Sequence, residues 1–136
     1  MSKEILLPQK VKRELKNTFK IGNYTVLRDY LTFKSNSATA KVIRAAAIQR
    51  GGLIYTGEKA PNGYVPNCTT RHENGIMYQT FGNGIEFAVN LDTGSASATI
   101  VDNNGNTVKH RFSEMTIADW GNALYSLQQI YNRLNS

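Results

Sequence analysis

The spacing of apolar residues changes at Gly51-Gly52, and no single type of secondary structure accommodates both sides of that change. Before the two glycines, apolar side chains recur every three or four residues; after them, they alternate in short runs broken by turn residues. An α-helix repeats every 3.6 residues and a β-strand every two, so the chain reads as a helical head followed by a β-rich remainder. In the head, Pro8 suits a first helical turn because its missing N–H has no partner there. Gln9 to Phe19 then places Val11, Leu15 and Phe19 on one face. Gly22 and Asn23 break the pattern, and Asn23 can cap a second helix from Tyr24 to about Leu31, with Val26, Leu27, Tyr30 and Leu31 inward. The polar stop Lys34-Ser35-Asn36-Ser37 supplies the next cap. A third helix, Ala38 to Arg50, turns Ala40, Ile43, Ala47 and Ile48 inward and leaves Lys41, Arg44 and Arg50 in water. Gly51-Gly52 closes it.

Past Gly52, a short strand is expected near Leu53 to Thr56. The turn-forming Pro61, Asn62-Gly63, Pro66 and Asn74-Gly75 then mark residues 57–75 as loop or linker. Four runs follow, Ile76 to Phe81, Ile85 to Leu91, Ser95 to Val101 and Thr107 to Phe112, separated by hairpin-length loops rich in Asn, Asp and Gly. A final helix starts at Thr116, whose spacing to Asp119 suits a capping box. Its apolar stripe is Ile117, Trp120, Leu124, Leu127, Ile130 or Tyr131, and Leu134. The expected fold class is α+β: an N-terminal tri-helical helix-turn-helix head over 1–52, a linker over 53–75, and a C-terminal antiparallel four-stranded meander covered by a helix over 76–136.

Charge follows the same division. Residues 1–52 hold eleven Lys/Arg against three acids, a net +8, and residues 53–136 hold five against seven, a net −2, which together make the +6 of the chain. A basic, ordered head is the electrostatic footprint of a phosphate-backbone binder. The longest apolar runs, such as Ala45-Ala46-Ala47-Ile48, are far short of the roughly 20 residues of a membrane span, so no membrane partner is expected. Met1 to Leu7 holds no apolar signal-peptide core. With a single cysteine, Cys68, a reducing, cytoplasmic setting is expected.

In a helix-turn-helix unit the second helix enters the major groove and its first residues reach base edges. The candidates for base contact are Asn23, Tyr24, Thr25 and Arg28: Arg pairs with guanine, Asn with adenine, and Thr touches a thymine methyl. Lys20, Lys34, Ser35, Asn36 and Ser37 flank that helix as candidate phosphate contacts. The run Phe19-Lys20-Ile21-Gly22-Asn23-Tyr24-Thr25-Val26-Leu27-Arg28, followed by Lys34-Ser35-Asn36-Ser37 and Ile43-Arg44-Ala45-Ala46-Ala47, resembles the heads of bacterial helix-turn-helix regulators of the lactose-repressor type. It is also similar to short proteins of gut bacteria and their mobile elements that join such a head to a small C-terminal domain. The likeness covers Phe19 to Gly52. Gly22 stands where a Ser or Thr is usual, and Asp29-Tyr30 lengthens the second helix by one residue. The resemblance implies sequence-specific binding of double-stranded DNA by a small transcriptional regulator or mobile-element accessory factor.

No catalytic set stands out. Cys68 and His72 are four residues apart in an expected loop, without the further ligands that tetrahedral zinc requires. Glu58, Glu73 and Glu86 are scattered, and Gly82-Asn83-Gly84 reads as a hairpin turn rather than a phosphate loop. Neither enzymatic activity nor a cofactor or metal is therefore expected. The aromatic residues of the acidic half read as core or interface, consistent with a homo-oligomer assembled through the C-terminal domain. The alternative reading of the chain is a protein-interaction module whose basic head meets an acidic protein partner.

Overall fold

Helix capping, the simplest local signal in this chain, sets the bounds of the helices. The computed structural model describes residues 3–113 and 115–136, and the chain divides into two compact units, one ending at Thr56 and the other running from Gly57 to Ser136. In the first unit the order is β1 (Glu4–Leu6), α1 (Gln9–Thr18), α2 (Tyr24–Leu31), α3 (Ala38–Gln49) and β2 (Leu53–Tyr55). Asn23 Oδ1 accepts from the Val26 N–H to start α2, and Ser37 Oγ accepts from the Ala40 N–H to start α3.

All three helices end in the same way. Ile21 N–H donates to Lys16 O and Lys20 N–H to Asn17 O; Lys34 N–H donates to Asp29 O and Phe33 N–H to Tyr30 O; Gly52 N–H donates to Ala47 O and Gly51 N–H to Ile48 O. This paired closure satisfies carbonyls that a helix end leaves bare, and it requires one residue in the left-handed region. Gly51 takes that conformation at φ 87° without a Cβ penalty, whereas Lys20 at 53° and Phe33 at 63° carry one.

The three expected helices are present in order, but the head is not helical alone: they are flanked by a two-stranded antiparallel sheet with Glu4 opposite Tyr55, Ile5 opposite Ile54 and Leu6 opposite Leu53. Ile5 and Leu7 join Val11, Leu15, Ile21, Leu27, Leu31, Ile43, Ala46 and Ala47 in one core. The approach is close: a Cβ on Gly52 would stand 2.8 Å from both Ala47 O and Ile5 Cγ2. Two inward assignments change. Phe19 is 38% exposed because α1 has already ended at Thr18 and the helical period no longer applies, and Ile48 is 41% exposed on the outer side of α3.

Arg44 changes in the opposite sense. Expected in water, it is 9% exposed. Its Nη1 donates to Tyr30 O at 3.0 Å and Ser35 O at 2.7 Å, its Nη2 donates to Asn36 Oδ1 at 3.1 Å, and its guanidinium lies 4.6 Å from the Phe33 ring centre. A buried charge is tolerated only when its donors are satisfied, and the planar fork of Arg meets three acceptors of the α2–α3 connection at once.

The second unit carries a further correction. Its sheet has five strands in sequential antiparallel order, not four: β3 (Thr69–Glu73), β4 (Ile76–Phe81), β5 (Ile85–Asn90), β6 (Ala96–Val101) and β7 (Thr107–Phe112), followed by α4 (Ile117–Leu134). The additional strand, β3, comes from the stretch expected to be linker. All five of its residues are exposed, so no alternation of apolar and polar residues announces it. The rest of that stretch is strapped to α4: Gly57 N–H donates to Ser126 Oγ, Ala60 N–H to Asn122 Oδ1 and Asn67 N–H to Gln128 Oε1.

Phe81, Ile85, Phe87, Ala98, Ile100 and Val108 of the sheet and Leu124, Leu127 and Ile130 of α4 are buried as this unit's core. Gln79 is buried with them. Its Oε1 accepts from Trp120 Nε1 at 2.8 Å, while its Nε2 faces Thr70 Oγ1 at 3.5 Å and Cys68 Sγ at 3.8 Å. The Thr116–Asp119 capping box forms as its spacing suggests, but Ile117, assigned to the apolar stripe, is 87% exposed in the first turn. No helix among the described residues is long and apolar enough to cross a membrane.

Two substitutions test this account of the head. Lys20→Gly relieves a left-handed penalty of about 1–2 kcal/mol against a glycine entropy cost of about 0.5–1 kcal/mol, so it should stabilise the unit by roughly 0.5–1 kcal/mol, read by native-state hydrogen exchange of the α1 and α2 amides. Arg44→Lys keeps the charge but offers its donors from a single nitrogen instead of a planar fork of two, and it should cost about 1.5–3 kcal/mol in the same measurement. Unchanged exchange in Arg44→Lys would contradict the role given to the guanidinium.

Candidate nucleic-acid interface

Eight residues of α2 span about 12 Å, and their two faces differ sharply. Leu27 and Leu31 are buried, whereas Tyr24, Thr25 and Arg28 are exposed together with the capping residue Asn23. All four base-contact candidates are therefore accessible on a short helix held by its apolar side. No acidic residue stands in the first turn of α2, so nothing there opposes the partial positive charge of the helix N-terminus. Lys16 Nζ lies 5.4 Å from the Tyr24 ring centre and adds a cation beside it.

The phosphate candidates separate into two groups. Lys20 and Lys34 are exposed, one just before α2 and the other just after it, each in the closing turn of a helix. Ser35, Asn36 and Ser37 are instead occupied in building the connection: Ser35 O and Asn36 Oδ1 accept from Arg44, and Ser37 Oγ caps α3. Asn23 similarly commits its Oδ1 to the N-terminus of α2, so its amide NH₂ is what it offers outward.

A recess of about 240 Å³ opens beside α2, with Tyr24, Thr25 and Arg28 along one side and Glu4, Gln9 and Lys12 along the other. Burial pushes the Glu4 carboxyl above its ordinary pKa, and the opposing pull of Lys12 and then Arg28 does not cancel that effect. Desolvation outweighs attraction here. Glu4, Gln9 and Lys12 were not singled out from the sequence. Glu4 reaches this surface only because β1 pairs with β2, a pairing that no local pattern signals.

Cys68 lies beside Gln79 Nε2, and burial pushes its thiol pKa up, away from the thiolate a nucleophile needs. His72 is exposed on β3, opposite Met77. Among the described residues, no group of three or more His, Cys, Asp or Glu side chains is placed to hold a metal ion.

No family model, curated protein or solved structure matches the chain.

Glu4 supplies a prediction with a definite sign. A carboxyl whose folded pKa is raised favours the protonated state, so its cost to folding is absent below the unfolded value and grows as pH rises toward the folded one. Glu4→Gln should accordingly match the parent at low pH and become the more stable of the two as pH rises above 4.5, the ordinary value for this group. Hydrogen exchange of α1–α3 amides across that range reads the difference. A gap that narrows with rising pH would reverse the assignment.

Proposed function

We propose that this chain is a sequence-specific DNA-binding protein, a small transcriptional regulator or mobile-element accessory factor, whose N-terminal unit lays α2 against the major groove of a duplex. The observation that carries this reading is the accessibility of α2: Asn23, Tyr24 and Thr25 are exposed at its N-terminal end and Arg28 in its last turn, and exposed Lys20 and Lys34 flank it. Lys20 and Lys34 hold the backbone, which positions the protein without reading sequence. Arg28 offers a bidentate fork to guanine, Thr25 a methyl group to thymine, and Asn23 its amide donor. Ser35, Asn36 and Ser37 support this surface by holding α3, and they meet phosphate only with atoms left over from that work. Two copies, joined through the C-terminal units, would present two heads to neighbouring half-sites.

Selection of bound sequences from a random duplex pool tests the reading directly. A recovered motif is expected, and enrichment of no motif would refute sequence-specific binding. On the selected site, Arg28→Ala should cost about 1–3 kcal/mol and relax preference at one position, whereas Lys34→Ala should weaken all sequences alike and lower the salt slope by about one. Equal losses of Arg28→Ala binding on selected and random duplexes would remove Arg28 from base recognition.

A further inference from the structure

The sheet of the C-terminal unit ends in a strand whose outer side is open. β7 pairs with β6 along its inner side, from Ala96 opposite Phe112 to Val101 opposite Thr107, and no strand among the described residues pairs with its outer side. An open edge leaves a row of backbone donors and acceptors without ladder partners, a template for another strand. We infer that this edge is a docking site for an acidic, extended polypeptide segment from a partner protein, which adds to the sheet as a sixth strand. The inference is independent of the DNA-binding reading.

Side chains along β7 give that edge two distinct faces. Thr107, Lys109 and Arg111 are exposed on one; on the other, Val108 is buried while His110 and Phe112 are half-buried, their rings edge to face at 4.6 Å. A strand laid alongside would meet cations at alternate positions and an aromatic margin between them. Strand pairing supplies affinity through the main chain, and alternate side chains supply specificity.

The register shows why the cationic side is receptive. Arg71, Tyr78, Ala88, Ser97 and Arg111 stand directly opposite one another across all five strands, with Lys109 in the adjacent row beyond Thr99. Because Ala88 and Ser97 are small, the centre of the row sinks into a trough of about 360 Å³ with Lys109 and Arg111 on its β7 side. At the far end Arg71 is already engaged, 3.6 Å from Glu86 and 4.0 Å from the centre of the Tyr78 ring. Among the described residues, neither Lys109 nor Arg111 has an ion-pair partner.

Charge selects the occupant. A second copy docking β7 against β7 in antiparallel fashion would set Lys109 and Arg111 against their own equivalents, and like charges across a ladder are destabilising. Single-stranded nucleic acid would meet a unit of net charge −2 with Glu73 and Glu86 on the same sheet face, and the ring of Tyr78 is already covered by Arg71. A segment alternating acidic with apolar residues meets neither obstacle: its carboxylates face Lys109 and Arg111, and its apolar side chains face His110 and Phe112.

The test uses the full chain and a short fluorescent peptide that alternates Glu with Val. Saturable binding by anisotropy is expected, together with slower hydrogen exchange along β7. Affinity should fall at least about tenfold in Lys109→Glu/Arg111→Glu, both exposed positions whose variant can be checked by circular dichroism. It should fall similarly for the same peptide N-methylated at alternate amides, which cannot complete the ladder. Binding that ignores either change would overturn the proposal, as would tighter occupation of this edge by an oligothymidine strand. So would a Lys109→Ser/Arg111→Ser variant that dimerises while the parent binds no peptide, since the two cations would then only guard the edge.

Discussion

The pairing of β1 with β2 is the constraint on which the head depends. It joins residues about fifty positions apart, brings Ile5 and Leu7 into the core of α1, α2 and α3, and demands the bare backbone of Gly52 where Ile5 and Ala47 converge. It also carries Glu4 to the rim of α2. Three helices of 8 to 12 residues are too short to persist alone in water, so tertiary closure stabilises them more than their own propensity does.

The same packing redistributes the charge of the head. Eleven basic residues make the sequence look uniformly cationic, yet they have different roles in the folded unit. Arg44 is withdrawn into the α2–α3 connection, Lys3 lies 4.7 Å from the Phe33 ring centre, and Glu4 sets an acid among Lys12 and Arg28. The cations left on the accessible side of α2 are fewer and more ordered than a count suggests. The net charge of the head and the arrangement of exposed side chains on α2 are therefore separate properties, the first belonging to the whole unit and the second to one helix.

In the C-terminal unit, satisfaction of buried polar groups plays the part that capping plays in the head. Gln79 lies within the core, where an unpaired amide would cost about 1–3 kcal/mol, and the indole N–H of Trp120 meets it from α4. Ser126, wholly buried on the same helix, accepts from the backbone of Gly57, so the segment leading into the sheet is held along α4. The unit thus binds its own entering segment along α4, while among the described residues no strand pairs with the outer side of β7.

Much of this arrangement was legible in the residues because it is local. Asn23, Ser37 and Thr116 cap helices where their spacing places them, and Ile85, Phe87 and Val89 alternate as a strand with one buried face. Such features need only neighbours within four residues. β1 and β3 leave no local signal because one is three residues long and the other wholly exposed, so each exists as a strand only through a partner distant in sequence or across a turn. For the same reason no local pattern signals the burial of Arg44 or the approach of Glu4 to α2. Short-range chemistry set the helices, the turns and the lopsided charge, whereas burial, register and the company each charged group keeps arose only when remote segments met, since desolvation and long-range pairing belong to the assembled fold and leave no periodic trace in the chain.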